Sequence, residues 1–196
     1  MEKSTNTFTA STRADWRDWL AKHYATEKNV WVKLYKKNSG IPSVTYDEAV
    51  DEALCFGWID SSVRKGDDNY RLQYFAKRNP KSNWSKVNKA KVEKLIQAGL
   101  MTDSGMAMIE LAKKSGTWSA LDEVENLTNP SDLDQELNAN PMAKGHFNAF
   151  PRSVKRGILE WLLNAKTPET RTKRIREIVT LAERNERANQ YVSKAK

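Results

Sequence analysis

The apolar positions of this chain change period several times, and each change marks a predicted element. Trp16, Trp19, Leu20 and His23 recur at helical spacing behind Ser11 and Thr12, both cap-type residues, with Asp15 three positions after Thr12. A helix ending near Tyr24 follows. From Asn29 to Lys37 the period drops to two, with Val30, Val32 and Leu34 on one side and Trp31, Lys33 and Tyr35 on the other, which is a half-buried strand. The turn residues of Asn38–Ser43 make a loop. Thr45-Tyr-Asp-Glu48 is a capping box opening a helix with Ala49, Val50, Ala53, Leu54 and Phe56 on its buried stripe, and Gly57 stops it. Trp58–Arg64 and Tyr70–Ala76 alternate again around the turn at Gly66-Asp-Asp-Asn69, which predicts a hairpin.

After Pro80 the pattern is helical throughout. Ser85 caps a stripe of Val87, Val92, Leu95 and Ile96 that ends at Gly99. Thr102 or Asp103 caps another with Met106, Ile109 and Leu111, ending at Gly116. Residues 122–138 are acidic and weakly periodic and read as a linker. Asn140-Pro141 opens a short helix through Phe147 and Phe150, and Pro151 opens one striped by Val154, Ile158, Trp161 and Leu162. Thr167-Pro168 opens a long basic helix through Ile175, Ile178 and Leu181. The expected fold is α+β and mostly helical. A small, mainly antiparallel sheet of about three strands lies in the N-terminal half, and the C-terminal part is helical. The expected organisation is an α+β domain over 1–121, an acidic linker over 122–138, a helical segment over 139–185 and a frayed tail over 186–196.

Composition narrows the class. With 39% hydrophobic and 30% charged residues in 196, the chain is too apolar for a disordered protein and too polar for a membrane one. The N-terminal stretch lacks the apolar core of a secretory signal, and a single cysteine gives no disulfide framework, so the expected location is the cytoplasm. Charge is uneven. Residues 61–100 hold 10 basic and 3 acidic side chains, net +7, and 152–196 hold 12 and 5, net +7. Residues 101–140 between them hold 2 and 8, net −6. The basic blocks suit an anionic partner such as nucleic acid, or they dock onto the acidic segment within the chain.

Candidate chemistry concentrates in Ala53-Leu-Cys-Phe-Gly-Trp-Ile-Asp-Ser61. Cys55 near a helix C-terminus, with only His23 and His146 as distant bases, suits a buried structural thiol better than a nucleophile. No zinc spacing, phosphate loop or dinucleotide fingerprint is present, and no cofactor is expected. A more suggestive set is Trp58, Asp60, Arg64, Arg71, Arg78, Ser82, Trp84 and Asn88. Simple alternation places Trp58, Asp60, Ser62 and Arg64 on one face, where tryptophan area beside guanidinium donors would hold a planar or anionic ligand. The competing reading makes Trp58 core and Asp60 half of an ion pair. Lys166, Arg171 and Arg174 crowd the start of the last helix as an anion-binding candidate.

Several stretches together resemble the YdeI/OmpD-associated family, also labelled bacteriocin-protection. They are Ser43-Val-Thr-Tyr-Asp-Glu-Ala-Val50 running into Ala53–Asp60, Ser82-Asn-Trp-Ser-Lys-Val-Asn88, Gly116-Thr-Trp118, and Ala165-Lys-Thr-Pro-Glu-Thr-Arg171 with Arg174. The likeness runs over about residues 8–185. One departure is Phe75-Ala-Lys-Arg78, where the family pattern carries a threonine–proline pair before the arginine. The resemblance implies tolerance of bacteriocins or cationic peptides and association with a porin, but no reaction. The expected function is therefore a cytoplasmic binding or stress-protection protein, holding a small anionic or planar ligand or a protein partner at the Trp58, Asp60 and Arg71 face. The alternatives are an enzyme on a small metabolite with Asp60 as acid or base, and nucleic-acid binding through the basic blocks.

Overall fold

The computed structural model describes residues 6–189. The chain divides into two compact units, one running to Ala120 and one from Leu121. The expected tail lies largely outside the described residues; within them, Ala188 is buried in the core of the second unit.

In the first unit, β1 (Thr7–Thr9), α1 (Arg13–His23), β2 (Asn29–Tyr35), α2 (Tyr46–Cys55), β3 (Trp58–Lys65), β4 (Tyr70–Lys77), α3 (Lys86–Gln97) and α4 (Asp103–Ser115) follow in order. The sheet runs β1-β2-β4-β3, with β1 parallel to β2 and the other pairs antiparallel. The α+β class stands, with a fourth strand. At three residues, β1 is too short to show a period of its own, and its pairing with β2 supplies what the sequence pattern lacked.

Both predicted capping boxes form. Thr12 accepts from the Asp15 amide while the Asp15 carboxylate accepts from the Thr12 amide, and Thr45 and Glu48 do the same for α2. The core lies on the sheet face that carries Val30, Val32, Leu34 and Phe75, against Trp16 and Leu20 of α1 and the Ala49–Cys55 stripe of α2. On α3 the buried side chains are Val92 and Leu95, while Val87 and Ile96 are exposed. On α4 they are Ile109 and Ala112, while Leu111 is exposed. The helices present narrower stripes than the apolar residues suggested.

The second unit holds α5 (Asp122–Glu125), α6 (Ser131–Ala139), α7 (Pro141–Ala149), α8 (Arg152–Leu163) and α9 (Pro168–Glu183). The segment expected as an acidic linker carries α5 and α6, and Val124, Leu133 and Leu137 are buried in the core of this unit. Leu133 and Leu137 stand four apart, so they share one face, and the intervening acids are exposed.

Candidate functional site

The Ala53–Ser61 motif forms a knuckle joining α2 to β3. Gly57 turns the chain at φ +74°, a conformation that glycine adopts without the Cβ penalty. The start of α4 closes over the knuckle. Thr102 Oγ1 donates to the Cys55 carbonyl at 2.6 Å and Ser104 Oγ donates to the Phe56 carbonyl at 3.0 Å. Gly105 lies so close that a Cβ on it would sit 2.2 Å from the Cys55 carbonyl oxygen, and a Cβ on Gly57 would meet Met108 at 2.8 Å. The two glycines are therefore explained by helix-to-turn packing, with no ligand needed.

Trp58 belongs to that packing and not to a ligand face. Its side chain is 1% exposed, sits edge-on to Trp19 at 6.0 Å, and donates through Nε1 to the Tyr24 carbonyl at 3.3 Å. Cys55 is fully buried, and burial pushes its thiol up to about 11, so it is a protonated structural group near neutral pH.

The single face assembled from alternation does not form, because β3 contains a bulge. Asp60 pairs with Phe75, but Val63 pairs with Gln73 and Arg64 with Leu72. One extra residue between Asp60 and Val63 puts Asp60 on the core side of the sheet and Arg64 on the opposite side. There the Arg64 guanidinium lies over the Trp31 ring at 4.3 Å.

Asp60 and Arg71 do lie on one side, at the rim where the hairpin meets the start of α2. The Tyr46 hydroxyl donates to Asp60 Oδ2 at 2.7 Å, Gln73 Nε2 donates to the same oxygen at 3.2 Å, and Arg71 stands 5.4 Å from the centre of the Tyr46 ring. Asp60 is half-buried, Tyr46 and Arg71 are exposed, and Gln73 is buried. Partial burial and the neighbouring carboxylate push the Tyr46 phenol up to about 12, so the phenol remains a donor. Tyr46 and Gln73 escaped the sequence reading. Tyr46 was visible as the first helical residue of a capping box, and Gln73 as a polar residue on the core-facing register of β4, two positions before Phe75.

Both raised groups have a stability consequence. A folded-state pKa above the unfolded one adds stability that is complete below the unfolded value and is lost as pH rises through the folded value. For Cys55 that window runs from about 9 to about 11, and for Tyr46 from about 10 to about 12. The thermal midpoint is expected to hold to pH 9 and fall above it, less steeply in a Cys55→Ala/Tyr46→Phe variant. Cys55 is expected to react with a thiol reagent only in denaturant. A steep fall shared equally by wild type and variant would contradict the assignment.

Arg78, Ser82, Trp84 and Asn88 form a separate cluster. The Arg78 guanidinium, 5% exposed, stacks on Trp84 at 3.8 Å and donates through Nη2 to the Asn83 carbonyl at 2.7 Å. Burial lowers its pKa to about 10. Ser82 Oγ donates to the Asn79 carbonyl, and the Asn88 amide donates to the Ser85 hydroxyl that caps α3. Trp84 packs on Trp118 at 5.1 Å, with its amide donating to the Thr117 carbonyl. These residues shape the entry to α3.

In the second unit Arg171 donates from Nε and Nη2 to the two carboxylate oxygens of Asp132, at 2.5 and 2.8 Å, and holds that carboxyl below its usual range. Arg174 stacks on Trp161 at 4.7 Å and donates to the Trp161 carbonyl, while Lys166 is exposed. Of the three cations expected to hold an anion at the start of α9, the acidic segment engages Arg171 and an aromatic ring engages Arg174. A cleft of about 230 Å³ beside them is lined by Asp132, Glu136 and Arg176 among others, a mixed-charge surface. Among the described residues no group of three or more histidine, cysteine or carboxylate side chains could hold a metal, and no helix is long and apolar enough to cross a membrane.

Two family models match the chain. The one described as Domain of unknown function (DUF8412) covers residues 8–108, more than half of the sequence. The one described as Bacteriocin-protection, YdeI or OmpD-Associated covers residues 126–185. The chain belongs to the first of these families, whose model lies within the first unit; the second unit carries the match to the other. The YdeI/OmpD-associated resemblance is thus supported, with its family model falling on α6 to α9. The knuckle, the hairpin and the Tyr46–Asp60 rim fall under the other model. No curated protein and no solved structure matches the chain.

Proposed function

We propose that the first unit is a binding module of a cytoplasmic stress-protection protein. It takes a small polar ligand, bearing an anionic group and a hydrogen-bond donor, at the rim formed by Tyr46, Asp60, Arg71 and Gln73. The observation that carries this reading is the way charge is left over at the rim. Asp60 accepts from two neutral donors, and among the described residues neither Asp60 nor Arg71 makes an ion pair. A carboxylate oriented by a phenol and an amide can accept from a ligand N–H or O–H. An arginine with its fork exposed can take a carboxylate or phosphate in bidentate fashion. The Tyr46 ring between them offers a flat contact surface.

Trp58 has no part in this site beyond holding β3 against α1. A ligand that binds only the native state raises stability by RT ln(1 + [L]/Kd), about 2.7 kcal/mol at a hundred times Kd. A panel of phosphorylated metabolites, dicarboxylates and nucleotides is therefore expected to contain compounds that raise the thermal midpoint. Asp60→Asn and Arg71→Ala should each remove that shift while leaving the unliganded midpoint nearly unchanged. A shift that survives both substitutions would place the ligand elsewhere, and a silent panel would sink the small-ligand reading.

A further inference from the structure

The opposite side of the same sheet has a different chemistry. Trp31 pairs directly with Tyr74, Tyr35 with Tyr70 and Lys33 with Leu72, so these side chains share the face turned away from the core. The bulge in β3 delivers Arg64 to that face. Trp31 is only 7% exposed yet belongs to neither apolar core. Its neighbours are Tyr74 at 4.9 Å and the Arg64 guanidinium at 4.3 Å, and Lys33 Nζ lies 4.9 Å from the Tyr70 ring centre. Across the four strands the only carboxylate is Asp60, which points to the core side. Tyr35, Tyr70 and Tyr74 are half-buried and Arg64 is exposed.

We propose that this face binds single-stranded nucleic acid. Three half-buried tyrosines, a buried tryptophan covered by the Arg64 guanidinium, two cations and no strand carboxylate on this face answer the two demands of such a ligand. Bases stack on aromatic rings or on a guanidinium plane, and phosphates are neutralised by lysine and arginine. A protein partner would be served as well by a neutral apolar face. The cations spread over the rings mark a polyanion that is also planar. The Arg64–Trp31 stack presents its outer surface as one more platform. The extra residue of the bulge is what places an arginine there, since unbroken alternation would have left it on the other side.

The test is fluorescence anisotropy of labelled twenty-nucleotide thymidine and uridine oligomers, titrated with the intact protein from 50 to 300 mM salt. Wild type is expected to bind the single strands more tightly than a duplex of the same length. Lys33→Gln/Arg64→Gln should weaken binding and reduce the log–log salt slope by roughly 1.4, the share of two phosphates on a single strand. Tyr74→Ala should weaken it by about tenfold, and Tyr74→Phe should restore it, because the stack and not the hydroxyl carries the contact. Far-ultraviolet circular dichroism of each variant separates lost binding from lost structure. Asp60→Asn and Arg71→Ala, on the other side, should leave oligomer binding unchanged. The proposal is overturned if wild type binds no oligomer at 50 mM salt, binds duplex as well as single strand, or binds unchanged in both the charge variant and Tyr74→Ala. Capture by anionic vesicles without oligomer binding would overturn it as well.

Discussion

Replacing Trp58 with alanine is expected to lower the unfolding free energy by about 3–5 kcal/mol, the usual cost of emptying a large aromatic site in a core. The indole is fully enclosed, and its neighbours cannot collapse easily. Trp19 is itself stacked on Trp16 at 5.2 Å, and the Tyr24 carbonyl would lose its N–H donor. Urea unfolding of wild type and variant measures the loss directly. Trp58→Phe should recover much of it, because the ring area returns and only the hydrogen bond is missing. A stable, cooperative Trp58→Ala protein would show that the ring is dispensable to the fold and would return it to consideration as a ligand contact.

The second large effect is expected at Glu52. This carboxylate is 1% exposed and is clamped by two arginines of α1. Arg13 Nε donates to Oε1 at 2.5 Å and Arg17 Nη1 donates to Oε2 at 2.6 Å. Arg17 also reaches the Leu100 carbonyl with Nη2, so one cluster ties α1, α2 and the loop before α4 together. Glu52→Ala removes the shared acceptor and leaves two guanidinium groups facing a cavity, and breaking a buried pair in this way costs about 3–5 kcal/mol. The arginine side chains keep about a third of their exposure, 37% and 33%, so water takes over part of their solvation and the loss belongs at the lower end of that range. Arg13→Ala or Arg17→Ala alone should cost less, because the carboxylate then keeps one cation. Chemical denaturation of the three variants checks the order. A Glu52→Ala protein as stable as either arginine variant would contradict it.

Much of the architecture was written in local chemistry. The capping boxes at Thr12 and Thr45 and the period-two runs around Gly66-Asp-Asp-Asn69 are one-dimensional signals, and the structure contains the helices and hairpin they call for. The strand β1 and the helix α6 were illegible for opposite reasons. Three residues carry no period, and α6 buries only Leu133 and Leu137 among exposed polar residues, so its pattern is faint without the partners that cover it. The site failed to read out at several positions, Arg64 first among them. A bulge is a change of register invisible to alternation, and it separated Arg64 from Asp60. The burial of Trp58 also depended on tertiary packing, because a tryptophan opening a strand after a glycine fits a core position as readily as a ligand face. The basic start of α9 was the reverse case. The docking alternative offered for its charges is the one in place for Arg171, whose partner Asp132 lies 39 residues upstream.

The place proposed for a small ligand is the rim of Tyr46, Asp60, Arg71 and Gln73, and not the Trp58 knuckle. The most direct measurement is amide chemical-shift mapping on isotope-labelled protein titrated with pooled phosphorylated sugars, nucleotides and dicarboxylates. Saturable shifts are expected to concentrate at Tyr46, Asp60, Arg71 and Gln73, with little change at Cys55 and Trp58. Shifts centred on the knuckle or on the second unit, or no shifts at millimolar ligand, would contradict it.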